Sequence, residues 1–95
     1  MPLFLIERNF AEKLNVTPDG ASEIKEINDQ ENVRWLISFL SIDKKKTFCL
    51  YEAVSVEAIR RAAERAGIPA DEIIELGEEI LPIGITQKLR IDRFG

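Results

Sequence analysis

The chain has 95 residues, 45% hydrophobic and 32% charged, with a formal net charge of -4. That length suits one domain and not two, and the balance is that of an ordinary globular fold. Zero histidines and a single cysteine exclude a Ser–His–Asp or Cys–His relay, an imidazole metal ligand and an intramolecular disulfide.

Residues 2–10 are apolar and rich in β-formers, which predicts a first strand. Thr17-Pro18 marks a helix start, with Thr17 as cap and Pro18 at the first helical position. Ala21, Ile24 and Ile27 give that helix one narrow apolar stripe. Residues 33–42 are the clearest strand. Strict alternation puts Val33, Trp35, Ile37 and Phe39 on one face and Arg34, Leu36, Ser38, Leu40 and Ile42 on the other. Asp43 and the three lysines after it make a solvated turn, and residues 47–53 return as a third strand, closing a hairpin. Ser55 caps a second helix, and Val54 is placed to staple onto Ile59. Gly67 ends that helix, with Ile68 folding back on Ala63 and Pro69 preventing continuation. A fourth strand starts at Ile73. After Pro82 and Gly84, Ile85, Gln87, Leu89 and Ile91 alternate with polar residues and predict a fifth, half-buried strand.

The order β-α-β-β-α-β predicts an α+β fold, the ferredoxin-like split βαβ sandwich, over residues 1–82, with residues 83–95 as an extra C-terminal strand. Two helices cover one sheet face only, while the first three strands carry apolar residues on both. The second face needs a partner, so the expectation is a homodimer, a dimeric α/β barrel in which the tail strand crosses to the partner's edge. No apolar run nears the ~20 residues that span a bilayer, and no signal-peptide core is evident. With a lone unpaired cysteine, this favours a cytoplasmic protein without a membrane partner. Nucleic acid is not expected either. The charge is net acidic, and residues 46–51 lack the glycine and second stacking aromatic of an RNA-recognition strand.

Glu7 and Glu52 interrupt otherwise apolar strands that are neighbours in this fold order, and carboxylates are costly to bury unpaired. They form either a cation or acid/base site between sheet and partner, or strand-end carboxylates paired with Arg8, Arg34 or a lysine. Tyr51 and Trp35 line a ligand pocket in the barrel or anchor the core and interface. Cys49, between Phe48 and Leu50, reads as a core cysteine, and Arg60, Arg61 and Arg65 with Glu57 and Glu64 as a solvated helix face.

Four stretches, spanning about residues 3–76, carry a resemblance. They are Leu5-Ile6-Glu7-Arg8-Asn9-Phe10, Trp35-Leu36 with Ser38, Thr47-Phe48-Cys49-Leu50-Tyr51-Glu52-Ala53 after Asp43, and Arg65-Ala66-Gly67-Ile68-Pro69-Ala70-Asp71. Together they resemble a family of small bacterial proteins of unknown function that includes a nickel-binding ferredoxin-like protein. The resemblance implies a dimeric ferredoxin-like fold and a divalent-metal role. Members often show a histidine in the second helix where this chain has Ala62, and nickel favours nitrogen and sulfur ligands. The nickel activity therefore does not carry over residue by residue, and at most Glu7 and Glu52 form an oxygen-rich site, better suited to magnesium, calcium or manganese. The expected function is a dimeric binding protein for a divalent metal ion or small ligand held between the sheets. The alternatives are a dimeric α/β-barrel enzyme using Glu7, Glu52 or Tyr51 as acid/base, and an assembly module with a solvent-free interface.

Overall fold

The computed structural model describes residues 1–93. In chain order the elements are β1 (Leu3–Asn9), α1 (Pro18–Gln30), β2 (Val33–Leu40), β3 (Lys46–Ala53), α2 (Val56–Ala66) and β4 (Glu72–Leu76). A short hairpin of β5 (Glu78–Ile80) and β6 (Thr86–Lys88) follows, then a single 3-10 turn at Ile91–Arg93. The first four strands form one antiparallel sheet in the order β2-β3-β1-β4. Two helices on an antiparallel sheet in this order are compatible with the ferredoxin-like fold that the sequence predicts.

Local chemistry sets both helices. The Gly20 amide donates to Thr17 Oγ1 at 3.1 Å and the Ala58 amide to Ser55 Oγ at 3.2 Å, so both predicted N-caps are made. Gly67 adopts φ 69°, and the Ile68 amide donates back to the Ala63 carbonyl at 3.1 Å, which closes α2. The predicted staple is not what buries Ile59. Val54 stays 57% exposed, and Ile59 belongs to the main core. Ala58, Ala62 and Ala63 are all buried, small enough for α2 to lie close on the sheet. Ala62, the position matched to a histidine in the resembling family, thus faces the core. The C-terminal end of α1 is tied to α2 through Glu31, which accepts from Arg61 Nε at 3.1 Å and Arg65 Nη1 at 3.0 Å.

The core lies between sheet and helices and is built on Phe4, Ile6, Val33, Tyr51 and Ile59. Each large apolar side chain buried there contributes about 1.5–3 kcal/mol. Side chains alternate strictly along β1 and β3. Phe4, Ile6, Arg8, Thr47, Cys49 and Tyr51 face the helices, and Leu3, Leu5, Glu7, Phe48, Leu50 and Glu52 face the opposite side.

Strand β2 departs from the predicted pattern. Trp35 pairs with Tyr51 but Ile37 pairs with Leu50, so Leu36 is an extra residue, a β-bulge. A one-residue slip reverses every side chain beyond it. Ser38 and Leu40, not Ile37 and Phe39, therefore share the helix face with Val33 and Trp35. The strand ends at Leu40, and Ile42 is fully exposed beyond it.

The alternation after Gly84 yields a strand only at Thr86–Lys88, and this strand pairs with Glu78–Ile80 of the same chain. Gly84, at φ 82°, and the Leu81 amide donating to the Ile85 carbonyl shape the turn between them. The hairpin straddles the boundary expected after residue 82, and residues 94–95 of the predicted tail lie outside the described residues. No helix among the described residues is long and apolar enough to cross a membrane.

Candidate functional site

Glu7 and Glu52 share the sheet face opposite the helices, but they are not together. The register sets Glu52 against Leu3 and Glu7 against Phe48. Four residues of β1 separate them, roughly 13 Å at about 3.3 Å per residue. Each has its own surface partner. Glu7 Oε2 lies 3.7 Å from Lys46 Nζ and accepts from Asn9 Nδ2 at 3.3 Å, while Glu52 Oε1 lies 3.9 Å from Arg34 Nη1. Among the described residues, no three acidic or cysteine side chains come together as a metal site. Cys49 is on the opposite side of the sheet and no imidazole exists in the chain, so the donor set of one protomer does not fit nickel.

Trp35 and Tyr51 are brought together. They pair across β2 and β3 on the helix face and line a cavity of about 280 Å³ between the sheet and α1. The segment joining β1 to α1 forms part of its wall, and two backbone bonds fix that segment to the β2–β3 turn. The Phe10 amide donates to the Lys45 carbonyl at 2.8 Å and the Leu14 amide to the Lys44 carbonyl at 2.7 Å. The turn is itself held by Asp43 Oδ1, which accepts from Ser41 Oγ at 2.6 Å and the Lys45 amide at 3.0 Å. These bonds hold the Asp43 carboxyl below its ordinary range.

Leu14, Ala21, Ile24, Trp35, Leu40 and Ile68 supply apolar wall. Val16 and Leu40, 62% and 41% exposed, bring apolar surface out to solvent at the rim. The polar groups are few and convergent. Because of the bulge, Ser38 lies in this site rather than on the opposite face. Its Oγ accepts from Trp35 Nε1 at 2.8 Å and donates to Cys49 Sγ at 2.7 Å. Sequence alternation alone assigned Ser38 to the opposite face from Trp35.

Arg8 is the residue that sequence reasoning missed. The sequence offers it only as a partner for a strand carboxylate, yet it is 3% exposed and lines the cavity. Its Nη1 donates to the Pro69 carbonyl at 2.6 Å and its Nη2 to the Tyr51 hydroxyl at 3.3 Å, with the guanidinium 5.6 Å from the Tyr51 ring centre. The signal was available, since residue 8 follows Phe4 and Ile6 on the same alternation. Asn28 of α1 is also buried and donates to the Tyr51 hydroxyl at 3.5 Å. Burial pushes the Tyr51 phenol above its ordinary 10.0, and the nearby Arg8 charge counters only part of that. Tyr51 and the carboxylates of Glu7 and Glu52 lie on opposite faces of the sheet. The space beneath α1 has a mostly apolar wall and a buried cation at one point.

The matched relatives fit this core. A protein-family model described as nickel responsive protein SCO4226-like matches residues 4–76, which reach from β1 to the end of β4. The crystal structure of SCO4226 from Streptomyces coelicolor A3(2) is similar, with a TM-score of 0.61 and 28% sequence identity. That likeness covers 78% of this chain and 94% of the other. No curated protein matches the chain in sequence. With both helices and all four strands of the main sheet inside the match, the chain belongs to the SCO4226-like family of nickel-responsive proteins.

Proposed function

We propose that the protein is a homodimeric binding protein that holds a small, largely apolar molecule between its sheet and α1. The observation that carries this reading is the 280 Å³ cavity, with its apolar wall and a few converging polar groups from Arg8, Ser38 and Tyr51. Small-molecule sites have this character, concave and mostly apolar with a small number of placed polar groups. The test uses Trp35, the single tryptophan, as reporter. Neutral fragments such as phenylacetamide are expected to change its emission saturably. Ala21→Phe, which fills the cavity from α1, is expected to abolish the change while circular dichroism stays native. No saturable change in the wild type with either phenylacetamide or phenylacetate at millimolar concentration overturns the reading.

The dimer is supported by the other sheet face. Phe39 and Ile74, 56% and 50% exposed, flank a centre made of Leu5, Ile37, Phe48 and Leu50. Glu7, Glu52 and Glu72 share that face with Arg34 and Lys46. A patch of mixed sign suits a two-fold axis, across which acidic groups of one protomer can meet basic groups of the other. Stacking two such faces gives the dimeric α/β barrel.

A second reading, a divalent-metal site, is favoured by the family's description as nickel-responsive. In this chain that reading needs both protomers, because Glu7 and Glu52 are too far apart to share an ion within one. Carboxylate donors on this face suit magnesium, calcium or manganese better than nickel.

A further inference from the structure

The cation in this pocket has no carboxylate within ion-pair distance among the described residues. Arg8 takes part in none of the ion pairs among the described residues, although it is the arginine most in need of one. Arg61 and Arg65 meet Glu31, and Arg93 meets Glu79, all with the guanidinium half out in solvent, where pairing matters least. Arg8, 3% exposed, has only neutral partners in the Pro69 carbonyl, the Tyr51 hydroxyl and the Tyr51 ring. A guanidinium carries five N–H donors. Two are engaged, and the other three are open to a ligand or to solvent, since none of the guanidinium nitrogens is a buried atom without a partner. A buried charge is costly unless paired, so a bound counter-ion at this point would gain more than one at the surface.

We infer that the pocket takes a monocarboxylate with an apolar body. Its carboxylate is forked on Arg8, and its body lies against Leu14, Ile24, Trp35 and Ile68. The inference rests on the reading of this cavity as a binding site and names the class of its ligand. A planar carboxylate matches the guanidinium fork in geometry and cancels its single charge. A phosphate carries close to two charges and more acceptor oxygens, and the wall around Arg8 offers it little beyond Ser38, Thr47 and Tyr51. The volume sets the size of the body. At about 30 Å³ for each water-sized group, the cavity takes on the order of nine non-hydrogen atoms.

Calorimetric titration of the whole chain with phenylacetate against phenylacetamide, and octanoate against octanamide, tests the inference. Each acid is expected to bind at least ~10-fold tighter than its amide, a difference of about 1.4 kcal/mol. Arg8→Gln is expected to remove the acid's advantage, bringing the ratio of acid to amide affinity to about one. Should Arg8→Gln fail to fold, the wild-type comparison still decides. Equal affinities for acid and amide overturn the carboxylate class and leave the cavity a binding site for neutral molecules. No binding of any of the four compounds overturns both.

Discussion

The guanidinium of Arg8 donates to the hydroxyl of Tyr51 at 3.3 Å and sits 5.6 Å from the centre of its ring. A cation so close to a phenol pulls its ionisation down, yet burial outweighs the charge and the net displacement is upward from 10.0. A raised folded pKa means that the unfolded chain releases this proton first. The contribution to stability is then whole below the unfolded value and is lost as pH rises through the folded one. Tyr51 is the only tyrosine, so ultraviolet absorbance of the phenolate reads it alone. The midpoint is expected to lie higher in the native protein than in urea. A native midpoint at or below the unfolded one contradicts the burial of this hydroxyl.

Phe39 and Ile74 are half-exposed in the single chain, so charging them leaves the protomer's own core intact. The double substitution Phe39→Glu with Ile74→Glu is expected to halve the mass measured by light scattering without changing the circular dichroism. A wild-type protein that sediments as a monomer at micromolar concentration removes the dimer.

Ser38 joins Trp35 Nε1 to Cys49 Sγ, and it does so only because the bulge at Leu36 turns it inward. Ser38→Ala leaves the indole N–H without its partner. The expected loss is about 1 kcal/mol in urea unfolding, with Trp35 emission shifted as its surroundings change. Unchanged stability together with unchanged emission would show that the bridge holds nothing in place.

Nickel is not expected to find a site within this chain. The thiol of Cys49 is buried on the helix side, and the carboxylates Glu7 and Glu52 stand on the other side and apart. Calorimetry with nickel is expected to show no saturable binding at micromolar protein. Under the two-protomer metal reading, magnesium or manganese binds weakly and Glu7→Gln or Glu52→Gln weakens it further. Stoichiometric, micromolar nickel binding would contradict this donor assignment.

Much of this fold is written locally. The caps at Thr17 and Ser55 and the stop at Gly67 depend on a few neighbouring residues and are visible as sequence signals. The two faces of β1 and β3 follow from period-two alternation, which also places Arg8 inside once it is counted with Phe4 and Ile6. What was not legible depends on pairing between distant segments. The bulge at Leu36 arises from how β2 meets β3, and nothing in Trp35-Leu36-Ile37 marks it. The separation of Glu7 from Glu52 is likewise a matter of register, which two strands with suitable carboxylates do not determine. Half of the candidate site was therefore readable, the pair Trp35 and Tyr51. Of the polar groups that complete it, Arg8 follows from the alternation of β1, and Ser38 emerged only from the pairing of β2 with β3.

Binding beneath α1 is tested most directly by proton–nitrogen correlation spectra recorded during titration with phenylacetate. The expected result is a saturable set of shifts centred on Ala21, Ile24, the Trp35 indole, Tyr51 and Ile68, with the Arg8 side chain moving alongside them. Shifts confined to Leu5, Phe48 and Leu50 on the opposite face, or no saturable shifts, would contradict it.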